Sequence, residues 1–261
     1  MNILEYSMIE VLKRLKNDYG VFEIKAEFEA EGSRMEEMMR LKDITTTVGL
    51  PIILKIGGVE AVTDVYNALS IGVKGIIAPM VETPFALTKY INMIKTMIAE
   101  DNAKDIEFAF NVETITACNN LSEMLAVEGI ETITGITVGR VDLSASMGIP
   151  RDRINNHIVL EKTAENVFWI AKDKGLKTGL GGAITKEALH IVRSINILKH
   201  WLDKFETRKV VFPADSWKLG EQAIFTANEF ELLWLKSKQR YYSRIKVEDA
   251  KRIEMLEERL K

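Results

Sequence analysis

Residues 106–120 read IEFAFNVETITACNN. The first eight form a short apolar run of strand length, and the run ends in a carboxylate, Glu113. The residues after it change to a helical period. Comparable runs recur along the chain, at VFEIKAEF (21–28), LPIILKIGG (50–58) and GIIAPMV (75–81) before it, and at GITVGRVDL (135–143), LKTGLGGA (176–183) and KVVFPA (209–214) after it. Segments such as RMEEMMRLKDITTTV and PFALTKYINMIKTMIAE lie between them and repeat their apolar residues at helical spacing. Apolar strands joined by helices form a parallel sheet covered on its faces. Seven strand–helix units in a 261-residue chain suit a (β/α)8 barrel of the TIM type better than an open doubly wound sheet. No G-x-G-x-x-G and no P-loop motif follows a strand, so the common nucleotide-binding sheets have no support. One strand is short of the full set. The reading leaves it either in MNILEY at the start of the chain or lost from a modified barrel.

The composition sets outer bounds. The net charge of -3 makes no electrostatic case for nucleic acid or an anionic membrane. No stretch approaches the roughly 18 apolar residues of a spanning helix. The single cysteine, Cys118, excludes an internal disulfide and points to a reducing compartment. The first residues lack the apolar core of a signal peptide. The expectation is a cytoplasmic protein with a barrel domain over residues 1–240 and a helical extension over 241–261. In that extension Val247, Ala250, Ile253, Leu256 and Leu260 form a narrow apolar stripe, which must pack on the barrel or on another subunit.

Barrels keep their reactive groups at the C-terminal ends of the strands. Those ends carry Lys25, Glu27 and Glu29, then Lys55, then Pro79, Glu113, Arg140 with Asp142, Gly181 with Gly182, and Asp215. The set is rich in carboxylates and lysines and has no histidine. Glu206, Arg208 and Lys209 precede the last apolar run, which assigns them to the opposite, stabilising end. For Glu113 and Asp142 two readings stay open. Two carboxylates from nearby strands suit Mg²⁺ or Mn²⁺; each could equally accept hydrogen bonds at a helix N-terminus. Lys25 is read as a structural or substrate-binding cation, with a Schiff-base nucleophile as the rival.

Three segments, GVKGIIAPMVETPFAL, FNVETITACNNLSEML and GITVGRVDLSASMGIP, occur in this order. They resemble the metal-dependent 2-keto-acid aldolase and citrate lyase beta-subunit family over about residues 20–215. The resemblance implies a phosphoenolpyruvate-type barrel in which Glu113 and Asp142 bind Mg²⁺ or Mn²⁺. It implies carbon–carbon cleavage or formation through a pyruvate-type enolate, with a 2-oxo acid and an aldehyde as partners. It also implies a homo-oligomer, a trimer or hexamer with exchanged terminal helices. There are departures. The family's histidine would fall in KAEFEAEGSR, which holds only glutamates and Lys25 as candidates for proton transfer. Lys55 stands where the family has an arginine that stabilises the enolate. Arg140 replaces a small residue; together with Pro79 and Gly139 it is expected to contact substrate, or else to form a structural ion pair. His157 is read as a surface residue, and His190 and His200 as helical. Two other readings are carried forward: a citrate-lyase-like enzyme for coenzyme A thioesters, and a barrel that has lost catalysis and serves as a binding subunit.

Overall fold

The computed structural model describes residues 1–260, and the side chains of all of them except residues 196–199. The chain begins with α1 (Ile3–Tyr19) and continues through β1 (Glu23–Glu27), α2 (Met35–Val48), β2 (Ile52–Lys55), α3 (Val62–Ile71) and β3 (Gly75–Ala78). Next come α4 (Pro84–Met97), α5 (Glu100–Ala103), β4 (Glu107–Val112), α6 (Ile115–Met124), β5 (Gly135–Gly139), α7 (Arg140–Ser146), α8 (Ile158–Asp173) and β6 (Lys177–Gly181). The last elements are α9 (Leu189–Lys199), β7 (Lys204–Glu206), β8 (Val210–Pro213) and α10 (Glu221–Arg259). The strands close into one barrel in the order β1 to β8. The expected TIM-type barrel is present, with one departure from full parallelism.

The missing strand is not MNILEY. Those residues open α1, where Asn2 Oδ1 accepts from the N–H groups of Leu4 and Glu5 while the Glu5 carboxylate accepts from Asn2 N. This capping box commits the segment to helix. The unrecognised strand is β7, KFE, three residues long. It runs parallel to β6, but β8 runs antiparallel to both β7 and β1. Residues 207–209 connect β7 to β8. Three residues suffice for a hairpin and are far too few for the crossover of a dozen or more that a parallel partner needs. The closing strand therefore travels down the barrel. Beneath it, Ser216 Oγ donates to the Tyr19 carbonyl at 2.8 Å, so α10 sets out from the bottom.

Side chains alternate across each strand. In β1, Ile24 and Ala26 pack outward on the main core under the helices, which leaves Glu23, Lys25 and Glu27 to face inward. The barrel interior has only a thin apolar layer of Ile53, Ile77 and Val211 with Ala109. Ion pairs fill the bottom, Lys204–Glu23 at 3.3 Å and Lys177–Glu107 at 2.9 Å.

Helix α10 is continuous from Glu221 to Arg259, so the expected boundary at residue 240 falls inside a single helix. Its first half packs antiparallel to α1, burying Ala223, Ala227, Phe230 and Trp234. Beyond that, Tyr242 donates to Glu37 at 2.6 Å. In the stripe farther on, Val247, Ile253, Leu256 and Leu260 are exposed in the single chain.

The hairpin is held by Phe205 and Phe212, fully buried rings stacked 5.0 Å apart on paired positions. Phe212→Ala is expected to destabilise the chain by about 3–5 kcal/mol, measured by urea unfolding followed by circular dichroism.

Candidate functional site

Reversal of β8 exchanges the ends of the last strand. Glu206, Thr207 and Arg208 lie at the mouth, with the C-terminal ends of the other strands, and help to line a cavity of about 400 Å³. This corrects the expectation that Glu206, Arg208 and Lys209 mark the stabilising end. Asp215, expected at the mouth, follows β8 to the bottom, where it pairs with Lys218 at 3.0 Å.

The cavity wall brings together Lys25, Glu27, Lys55, Glu113, Asp142 and Glu206. Lys25 Nζ lies 2.6 Å from Glu206 and 3.1 Å from Glu27. Burial disfavours its charge, but Glu206 and Glu27 more than offset this and hold its pKa well above the ordinary lysine value. Paired with two carboxylates, Lys25 fits the reading of a structural cation better than that of a nucleophile. Burial tends to raise Glu27, yet Lys25 and Lys55 keep its pKa below the usual carboxylate value. Lys55 Nζ reaches Glu29 at 2.8 Å and Glu27 at 3.8 Å. Burial works against its charge too, and Glu27, Glu29 and Glu113 raise its pKa on balance. Glu29 is absent from the cavity wall and meets the site through Lys55.

Neither of the two acids caps a helix. Thr114 is the N-cap of α6, its side chain accepting from Ala117 N at 3.1 Å. Glu113 is buried instead between strands, with Oε1 accepting from Met80 N at 3.0 Å and Oε2 from the Asn111 amide at 3.1 Å. Met80 has φ 49°, a left-handed backbone that few non-glycine residues adopt. The turn after β3 is thereby set to aim its N–H at the carboxylate. Burial pushes the Glu113 pKa up, Met80 N–H and Lys55 oppose this, and the nearby charge of Asp142 adds to the rise. Asp142 lies in the first turn of α7 on the cavity wall and makes no hydrogen bond or ion pair among the described residues. Gly139 separates the two acids. A Cβ there would lie 2.4 Å from Glu113 Oε2, so Gly139 makes room for the carboxylate, and it lines the cavity itself.

Arg140 and Pro79 correct the substrate-binding assignment. Arg140 is 1 % exposed and does not line the cavity. Its NH2 group donates to the carbonyls of Gly182 and Ala183 at 2.8 and 3.1 Å, and NH1 donates to Asn155 Oδ1 at 3.0 Å. The guanidinium staples the left-handed turn after β6, where a Cβ on Gly182 would lie 2.7 Å from Arg140 N. Burial lowers its pKa to about 10. Pro79 is buried beside the cavity without lining it. His157 is partly exposed just ahead of α8, His190 lies in α9, and His200 follows that helix at φ 49°; none lines the cavity.

Arg151, Asn228 and Glu231 on the wall had no place in the sequence reading: Arg151 comes from the loop after α7, and Asn228 and Glu231 come from α10. The short gap between KFE and VVFP was the available signal for the hairpin, and with it for the course of α10 past the mouth.

Residues 16–184, more than half of the chain, match the family described as HpcH/HpaI aldolase/citrate lyase. The chain belongs to that family, whose type is aldolase or lyase. No curated protein sequence matches it significantly. Among solved structures it is similar to citrate synthase SbnG, at 17% identity and a TM-score of 0.61 over 91% of each chain. An HpcH/HpaI aldolase/citrate lyase family protein from Burkholderia cenocepacia J2315 is 18% identical, with a TM-score of 0.60 over 88% of this chain and 91% of its own. An HpcH/HpaI aldolase from Desulfitobacterium hafniense DCB-2 is 16% identical, with a TM-score of 0.59 over 75% and 80%. At such identities the likeness is one of fold. No described helix is long and apolar enough to cross a membrane.

Removing the Lys25 charge takes the ion-pair partner from Glu206 and leaves Glu27 only the more distant Lys55. Lys25→Met is expected to cost about 3–5 kcal/mol near neutral pH, measured by denaturant unfolding across pH. The folded pKa of Glu27 is depressed, so its contribution is present above the unfolded value and lost as pH falls through the folded value. That of Lys25 is raised, so its contribution is complete below the ordinary lysine value. The gap between variant and parent should therefore narrow as the solution becomes acidic.

Proposed function

We propose that the chain is a divalent-metal-dependent carbon–carbon lyase or aldolase that works on a 2-oxo acid, with an aldehyde as the second reactant. The observation that carries this is the placement of Glu113 and Asp142. Both stand on one cavity wall, neither caps a helix, and their charges are close enough to repel.

The donors fit a hard cation. Among the described residues no three His, Cys, Asp or Glu side chains gather into a metal cluster. Mg²⁺ needs fewer, since it is commonly held by one or two carboxylates and keeps waters or substrate oxygens in its other positions. Glu113 and Asp142 are the pair that would hold it, and Mg²⁺ or Mn²⁺ bound there supplies Lewis-acid polarisation of a keto oxygen. Asp142 has an unengaged carboxylate available for this. Glu113 is held in place by Met80 N–H and Asn111, so its orientation does not depend on an ion.

The protein's own groups supply the rest. Lys55, held as ammonium by Glu27 and Glu29, presents a fixed positive charge to the cavity that suits a substrate carboxylate or a developing enolate oxygen. Lys25 balances Glu27 and Glu206 and keeps that side of the wall charged and rigid. Arg151, exposed on the cavity wall, offers a charge for an anionic group farther along the substrate.

The test is exchange of the pyruvate methyl protons with D₂O, followed by NMR. Exchange should require Mg²⁺ or Mn²⁺ and stop with a chelator. Glu113→Gln and Asp142→Asn should each weaken Mn²⁺ binding, read by electron paramagnetic resonance, by about 10-fold or more, and should lose exchange in parallel. Exchange unaffected by chelator and by both substitutions would remove the proposal.

A further inference from the structure

An enolate reaction needs a group that takes a proton from carbon and returns it, and the carboxylates of this cavity are mostly committed elsewhere. Glu206 and Glu27 are bound to Lys25 at 2.6 and 3.1 Å. Glu29 is bound to Lys55 at 2.8 Å. Glu31, on the loop after β1, is tied to Lys209 and to Arg208. Glu113 and Asp142 are assigned to the cation under the reading above. One cavity carboxyl is left, Glu231 of α10, which makes no hydrogen bond or ion pair among the described residues.

The helix holds this side chain toward the cavity. Glu229 lies on nearly the opposite face, about 200° around the helix, and reaches Arg14 of α1 at 2.7 Å. Trp234, one turn beyond Glu231, is buried against Lys209, whose ammonium lies 5.8 Å from the ring centroid. Lys238 is paired with Glu37 of α2 at 3.0 Å. These contacts fix the rotation of α10 about its axis. Asn228 and Glu231, three residues apart and so on one face, are the two that reach the cavity wall.

We propose that Glu231 is the catalytic acid–base of this site, carrying the proton to and from the enolate carbon of the bound 2-oxo acid. This role rests on the enolate reading above. As base, the carboxylate takes a proton from the methyl or methylene group next to the keto carbon. The C–H electron pair becomes the carbon–carbon double bond of the enolate, the carbonyl π pair moves to oxygen, and Glu231 becomes a neutral acid. The reverse step returns the proton, so the group is regenerated with no other reactant. The surroundings suit the task. Half-burial raises the pKa of Glu231 above the ordinary carboxylate value; Arg208 and Lys209 from the β8 side lower it, and Glu31 and Glu27 from the β1 side raise it. A carboxyl shifted toward neutrality binds a proton more readily without losing it as a base.

The experiment compares the full chain with Glu231→Gln and Glu231→Asp, using Mn²⁺ as the metal and pyruvate in D₂O. Glu231→Gln should slow methyl exchange by about 100-fold or more while Mn²⁺ affinity stays at the parent value. Oxaloacetate decarboxylation should fall far less, because loss of CO₂ reaches the same enolate with no proton removed from carbon. The parent's exchange rate should fall as pH drops through the raised Glu231 pKa. That acid limb should move in Glu231→Asp, with part of the rate restored, and vanish in Glu231→Gln. Exchange at the parent rate in Glu231→Gln overturns the proposal. So does a parallel loss of Mn²⁺ binding and exchange, which marks a structural role. A parent that exchanges with no metal tested overturns the enolate reading and this role with it.

Discussion

Lys25 lies between Glu27 of its own strand and Glu206 of the seventh, and this buried ammonium spans the point where the barrel closes. The strand between them, β8, runs against its neighbours on both sides. Reversal has two consequences that the rest of the molecule follows. The β7–β8 turn, with Glu206, Thr207 and Arg208, lies at the mouth, where a parallel strand would put its far end. The chain then leaves β8 at the bottom, so α10 must climb the outside of the barrel and pass the mouth. A barrel closed by a parallel eighth strand would have sent the chain out at the top, with no ascent of α10 from the bottom.

Charge fills much of the interior of this barrel. Inward positions of a TIM-type barrel are commonly layered with branched apolar residues. Here an apolar layer of Ile53, Ile77 and Val211 separates ion pairs at the bottom from a larger ionic group at the mouth. Buried ion pairs are weak sources of stability, since desolvation consumes most of their attraction. The outward-facing core under the helices must therefore supply most of the folding free energy, and the fully buried residues of alternate strand positions, such as Ile24, Ile52, Ile76 and Phe110, lie in it. The inner wall is freed from that duty and can be shaped for chemistry.

The repeat of strand and helix was legible because it rests on local patterning, and β1 to β6 follow it. Glu113 and Asp142 were legible as a pair because they follow neighbouring strands, β4 and β5, that run in the same direction. What escaped was set by tertiary direction. KFE is too short to show a strand period, and nothing in VVFP tells which way it runs. Only the length of the link between them carries that information. Arg140 was misread for a different reason: its neighbourhood in sequence is the site, yet its side chain is drawn back by the carbonyls of Gly182 and Ala183, which lie 42 and 43 residues away. Glu231 sits in a helix that looks charged throughout, and its exposure to the cavity depends on the course of α10.

The family match ends at residue 184, and the divide has a physical meaning. The two acids that suit a cation, and the Met80 and Asn111 contacts that hold one of them, all lie inside the matched segment. The hairpin, the reversed strand and α10 lie outside it. Fold likeness does not fix a reaction, and here the groups that would decide the reaction are divided between the two parts. A cation pair needs two carboxylates at fixed separation, which neighbouring parallel strands supply through the short segments that follow them, here Glu113 just after β4 and Asp142 in the first turn of α7. A proton carrier has a looser requirement: it must reach the substrate and hold a suitable affinity for the proton. Such a group can be supplied from any element that passes the mouth, provided its carboxyl is partly desolvated and left unpaired. The histidine-free stretch at the end of β1 and after it fails the second condition, because Glu27, Glu29 and Glu31 are each bound to a cation. Glu231 meets both, and the reversal of one strand puts it within reach.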